Sequence, residues 1–140
     1  MAASASATWK GGLKDGGGTY SLGSGAAKDV PYLHADRFLD GKGSNPEELI
    51  GAAHAACFVM FFSAKLGDVK AESLSAESKV SLGKDDAGPI VTEIRVKFTA
   101  KVPGLDKAKF DELVKVTEAG CPIARLYKGN TKVIVDATLA

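Results

Sequence analysis

Residues 43–62 read GSNPEELIGAAHAACFVMFF, and the fold turns on how that run is interpreted. Ser44 or Asn45 can cap a helix, Pro46 suits its first position, and Glu47 and Glu48 face the positive end of its dipole. Three start signals agree, so a helix begins here. From Leu49 onward the run is apolar on every side, the pattern of a helix buried all round, and it frays near Leu66-Gly67-Asp68. In its middle sit His54 and Cys57, two reactive groups that a packing helix does not need.

Upstream of this helix the chain reads as β. The stretch SATWKGGLKDGGGTYSLGSGA holds two β-prone runs around Asp15-Gly16-Gly17-Gly18, a hairpin turn supplied with glycines for positive φ. A further extended piece is expected at Val30 to Leu33, followed by the turn LDGKGSNP. Downstream, ESLSAESKVSL and IVTEIRVKFTAKV alternate with period two about GKDDAGP, which predicts an antiparallel pair with one buried face. LDKAKFDELVKVTEAG is amphipathic, with Asp106 as cap, Phe110, Leu113 and Val114 facing inward, and Gly120 as stop. Cys121-Pro122 opens a short helix, PIARLYKG, before a last strand, TKVIVDATL. The order β-β-β-α-β-β-α-α-β predicts an α+β fold of antiparallel sheets around a long buried central helix, in a single domain over residues 1–140.

Bulk composition narrows function mainly by exclusion. The 140 residues carry 18 Lys plus Arg against 17 Asp plus Glu, with the basic residues scattered. Neither nucleic acid nor an anionic membrane surface is favoured as a partner, and aromatics are too sparse for a single-strand stacking platform. The opening MAASASATWK lacks the charge and apolar core of a signal peptide. Leu49 to Ala64 falls short of the ~20 residues of a bilayer span. A cytoplasmic location is therefore expected, where a permanent structural disulfide is disfavoured and two cysteines are free, catalytic or metal-bound.

Local physics ranks the two cysteines. Cys57 on an apolar helix reads as a small core hydrophobe, inert unless a cation stands near it. Cys121, just before Pro122 at a helix start, has dipole and amide donors to stabilise a thiolate, although a tolerated cap explains it equally well. His54 shares a helix face with Cys57 and could serve as a base, but no third group to orient it is visible. Both cysteines with His34 and His54 match no zinc spacing, so no metal is expected, and no cofactor. GKGS lacks the spacing of a phosphate loop and is a turn.

GSNPEELIGAAHAACF, followed some sixty residues later by EAGCPIARL, resembles the two cysteine motifs of the OsmC/Ohr thiol peroxidases, proteins of osmotic and organic-hydroperoxide stress. The likeness extends over Ala7 to Leu139, and ADRFLDGKGSNPEE, with an Arg shortly before the motif, resembles the OsmC branch. It implies that Cys57 attacks the peroxide and becomes a sulfenic acid, that Cys121 resolves it as a disulfide, that Arg37 activates the thiol, and that Glu47 holds Arg37, with Glu48 as an alternative. This reverses the local ranking of the thiols. It further implies organic hydroperoxides, and hydrogen peroxide, as substrates, and a dithiol reductant, typically lipoyl-linked.

Helix geometry adds one inference. Glu47 and Cys57 are ten residues apart on one helix, hence ~15 Å along its axis, too far to share a compact site within one chain. A site containing both needs a second subunit with its helix antiparallel to the first, which predicts an intertwined homodimer with Arg37 and Glu47 donated across a two-fold interface. Two rival readings are a non-catalytic, apolar-ligand-binding dimer of the same fold and a cysteine hydrolase using Cys57 and His54.

Overall fold

The computed structural model describes residues 1–140, which divide into two compact units, Met1–Glu48 and Leu49–Ala140. In the first, β1 (Ala5–Lys10), β2 (Gly17–Leu22) and β3 (Val30–Tyr32) form an antiparallel sheet in that order. The expected hairpin is present, with Trp9 opposite Gly18 and Lys10 opposite Gly17. Gly18 has to be glycine: a Cβ there would come within 2.9 Å of both the Trp9 and the Tyr32 rings and 2.2 Å from the Thr8 carbonyl oxygen. Those two rings thus close over β2, with centroids 5.4 Å apart. A five-residue helix, α1 (His34–Phe38), follows β3. It was not foreseen from sequence, because little more than one turn leaves no periodicity to read.

Helix α2 runs from Pro46 to Lys65. Asn45, not Ser44, is its cap: the Asn45 side-chain oxygen accepts the Glu48 amide at 2.9 Å. Within the single chain α2 is buried along one side. Gly51, His54, Phe58 and Phe62 are buried, one stripe at helical spacing, whereas Ala52, Ala53 and Ala56 are exposed in the single chain, as are Leu49 and Met60. By length and composition alone α2 would suffice to cross a membrane, but its inner stripe packs as a core helix does.

In the second unit β4 (Ser73–Asp85) and β5 (Gly88–Lys101) form the expected antiparallel pair, with a register shift at Ser81/Leu82. The strand β6 (Lys132–Leu139) adds to β5 in parallel. That pairing follows from the connection: α3 (Lys107–Gly120) and α4 (Pro122–Tyr127) lie between the two strands, and a helical crossover returns the chain in the same direction. Asp106 caps α3, accepting the Lys109 amide at 2.8 Å. The core joins Phe58 and Phe62 of α2, with Leu66 just beyond its end, to Ile94, Val96 and Phe98 of β5 and to Phe110, Leu113 and Val114 of α3. The Phe98 ring stands 4.8 Å from Phe62 and 5.1 Å from Phe58, in tilted and edge-on geometries that aromatic pairs prefer. The helix sits tightly on β4, since a Cβ on Gly51 would lie 3.0 Å from the Ser78 carbonyl oxygen. The fold is α+β, with antiparallel pairing throughout the sheets except for the parallel edge strand β6, and a long helix packed into the core.

Candidate active site

The four residues singled out from the sequence fall into two pairs, one in each unit. Cys57 and Cys121 are free thiols whose sulfurs lie 2.9 Å apart, the Cys121 S–H donating to Cys57. That is nearer than non-bonded sulfurs ordinarily sit, yet longer than the ~2.05 Å of a disulfide. Cys57 is half-buried near the middle of α2, while Cys121 is fully buried between α3 and α4. The backbone pins Cys121 on both sides: its amide donates to the Thr117 carbonyl and its carbonyl accepts the Arg125 amide, each at 2.9 Å. Gly120 brings this junction close to α2, because a Cβ there would come within 2.6 Å of the Phe61 ring and force that ring aside.

Burial pushes the Cys121 thiol up from its ordinary value, and the hydrogen bond to Cys57 pushes it further. The amides of Ala124 and Ile123 pull it down, as a helix start should, but burial outweighs them. The local argument for Cys121 as the thiolate therefore fails through desolvation. His54 is enclosed completely, and neither ring nitrogen has a hydrogen-bond partner. Burial pushes its pKa down, favouring the neutral ring. His54 thus makes no hydrogen bond to Cys57, the contact that a nucleophile–base pair would need. No three His, Cys, Asp or Glu side chains converge on a metal-sized site.

The second pair lies within Met1–Glu48. Arg37 donates from Nε to Glu47 Oε1 at 3.0 Å and from Nη2 to the same oxygen at 2.8 Å, and Nε also lies 3.3 Å from Oε2. Planar guanidinium against carboxylate gives orientation as well as attraction. Between the two candidate carboxylates, the buried Glu47 takes the arginine and Glu48 stays exposed. The guanidinium carbon stands 5.2 Å from the centroid of the Phe38 ring, and the arginine side chain keeps 39% of its surface open. It forms part of the wall of a cleft of about 380 Å³ that also includes Trp9, Leu13, Tyr32 and Phe38.

Residues 39–136 match the family model of OsmC-like proteins. The chain belongs to the OsmC family. It is 45% identical over 126 residues to a peroxiredoxin OsmC of Escherichia coli, covering 89% of this chain and 88% of that protein. An organic hydroperoxide resistance protein of Xanthomonas axonopodis is 36% identical over 103 residues, covering 71% and 67% of the two chains. Among solved structures, an organic hydroperoxide resistance protein OsmC from Legionella pneumophila superposes with TM-score 0.70 at 26% identity over 96% of each chain. An OsmC-like protein of Mycoplasma pneumoniae gives 0.77 at 17% identity, over 100% of this chain and 98% of that one, a likeness of fold alone.

Sequence reasoning missed the surroundings of Arg37. Phe38 lies beneath the guanidinium, and Tyr20 Oη meets Ser44 Oγ at 2.9 Å. Asp36 accepts the Leu33 amide at 2.8 Å, a bond that the spacing of Asp36 three residues after Leu33 could have suggested. Nothing in the sequence marks the approach of the aromatic rings.

Proposed function

We propose that this chain is a thiol peroxidase that reduces organic hydroperoxides, and hydrogen peroxide, through Cys57 and Cys121. The observation that carries the proposal is the 2.9 Å approach of two reduced thiols from elements far apart in sequence. Two sulfurs so placed can join without rearranging the core. In the reaction, the Cys57 thiolate attacks the terminal oxygen of ROOH, the O–O bond breaks, and RO⁻ leaves and takes a proton to become ROH. Cys57 is then a sulfenic acid. Cys121 sulfur displaces its hydroxyl, which departs as water, and a disulfide forms. The net change is ROOH plus two thiols to ROH, water and one disulfide. An external dithiol, which we take to be lipoyl-linked, returns two electrons and two protons. Sulfur carries the electrons throughout, so no cofactor is required.

Arg37 has the role of stabilising the attacking sulfur anion and balancing negative charge on the leaving oxygen, with Glu47 fixing its plane. Ten residues of helix keep Glu47 ~15 Å along the axis from Cys57. We therefore assign each site to a homodimer in which one protomer supplies Arg37 and Glu47 and the other supplies the thiols. The apolar stripe of Leu49, Ala52, Ala53, Ala56 and Met60, open in the single chain, supports a helix-to-helix interface of that kind. The aromatic cleft beside Arg37 suits an apolar R group, and the cytoplasm is the compartment in which the reductant would be available.

The test is consumption of cumene hydroperoxide with dihydrolipoate as reductant. Wild type should turn over and lose both thiols after one equivalent of peroxide, and Cys121→Ser should leave a dimedone-reactive sulfenic acid at Cys57. Thiol counts unaffected by peroxide would instead favour a non-catalytic binding dimer.

A further inference from the structure

The turn LDGKGSNP, which the sequence presents as a simple connector, is tied into a closed strap around Arg37. The Asp36 carboxylate uses both oxygens on backbone amides: Oδ2 accepts from Leu33 and Oδ1 from Gly43, each at 2.8 Å. One side chain thereby joins the chain before α1 to the chain after it, and Arg37 is the next residue. The strap is packed shut as well as bonded. A Cβ on Gly41 would sit 2.5 Å from Asp36 Oδ1, and one on Gly43 would sit 2.4 Å from Oδ2. The carboxylate occupies the space that side chains at 41 and 43 would need.

Asn45 completes the arrangement. Its Nδ2 donates to the Asp36 carbonyl at 3.1 Å while its Oδ1 accepts the Glu48 amide at 2.9 Å. The same amide group therefore grips the strap that carries Arg37 and the first turn of the helix that carries Glu47. We propose that Asp36 and Asn45 are positioning residues of the peroxidase reaction, a clamp that fixes where the Arg37–Glu47 pair presents its guanidinium. The inference rests on the reading of Arg37 as the activator of Cys57, and it gives a chemical role to residues that neither touch substrate nor carry electrons. Its physical basis is that an arginine on an open loop would be free to sample many rotamers, and a misplacement of about 1 Å in a positioned group can lower a rate about a hundredfold.

The experiment follows the pH dependence of Cys57 alkylation by iodoacetamide, in a Cys121→Ser background so that one thiol titrates. Arg37→Ala, Asp36→Asn and Asn45→Ser are compared. Asp36→Asn keeps shape but replaces one acceptor by a donor, and Asn45→Ser keeps a helix cap while losing the donor to the strap. Both clamp variants should move the alkylation midpoint up, towards that of Arg37→Ala, and lower kcat/KM for cumene hydroperoxide about tenfold or more in the background that retains Cys121. A purely architectural role would change thermal midpoints without moving the thiol titration. If Arg37→Ala shifts the titration and neither clamp variant does, the clamp is refuted and the activating arginine survives. If Arg37→Ala itself leaves the titration in place, the activation reading falls and takes the clamp with it. Should Asp36→Asn fail to fold, Asn45→Ser decides the matter alone.

Discussion

The two residue pairs are built in opposite ways. Cys57 and Cys121 are 64 positions apart and meet at 2.9 Å only because α2, α3 and α4 pack around a shared aromatic core. Arg37 and Glu47 are ten positions apart and meet through a short loop closed by Asp36 and Asn45. One pair consists of two thiols, Cys57 half-buried and Cys121 fully buried, and burial pushes the Cys121 thiol up. The other is ionic and keeps its arginine partly open to solvent. The difference teaches where each requirement of a thiol peroxidase can be met. A dithiol needs distance control, which a core supplies. An activating charge needs hydration until it is used, which a core would deny.

The strongest way to break this comparison is to remove the electron carrier. Cys57→Ser should lower peroxide consumption by more than about a thousandfold, as removal of a nucleophile does, with substrate binding retained. Residual turnover within tenfold of wild type would shift the chemistry to another group. Removing the charge should have a smaller effect. Arg37→Ala is expected to lower kcat/KM about a hundredfold to a thousandfold, the range for one electrostatic stabiliser, and Glu47→Gln less than that. A rate that depends equally on Cys57 and Arg37 would mean that the thiol has no reactivity of its own.

The same asymmetry explains how much could be read in advance. Every strand, all three helices longer than five residues and the α+β class are legible, because each element has a periodicity or a start signal: Asp106 before α3, Pro46 and Pro122 at helix starts, alternation through β4 and β5. The thiol pair is legible as a motif but not as physics, since the helix start at Ile123 and Ala124 lowers the Cys121 pKa while burial, invisible in one dimension, raises it further. The strap is the least legible. The Asp36 contacts to Leu33 and Gly43 depend on a loop conformation for which the sequence offers only glycines. The parallel docking of β6 on β5 is likewise a consequence of the crossover path, not of any property of TKVIVDATL.

The two faces of α2 offer a finer test. Phe58 on the inner face is fully buried and Met60 on the outer face is 73% exposed, though both are apolar and two residues apart. Phe58→Ala should destabilise the fold by about 3–5 kcal/mol, the usual range for emptying an aromatic core site. Met60→Glu should leave the monomer fold intact, measured by circular dichroism, and shift sedimentation from dimer to monomer with loss of peroxidase activity. A fully active monomer would contradict the assignment of each site to two protomers.

The smallest effects are those of pH on stability, and they separate the thiol core from the ion pair. The folded-state pKa of Cys121 lies above its ordinary 9.0, so the unfolded chain ionises first as pH rises. The stability held by the neutral thiol is complete below 9.0 and declines as pH climbs towards the folded value. His54 acts at the other end. Its folded pKa lies below the ordinary 6.5, so the unfolded chain gains the proton first, and stability declines as pH falls from 6.5 towards the folded value. Urea midpoints of the reduced protein should therefore trace a plateau with two shoulders. Burial also pushes the Tyr127 hydroxyl up from its ordinary 10.0. Cys121→Ser should thus remove the part of the alkaline shoulder that begins at 9.0 and His54→Phe should flatten the acid shoulder, while Arg37→Ala should leave both in place. A decline that still begins at 9.0 in Cys121→Ser would show that the enclosed thiol is not what resists ionisation there, and the contrast between a buried thiol and a solvated ionic pair would lose its energetic basis.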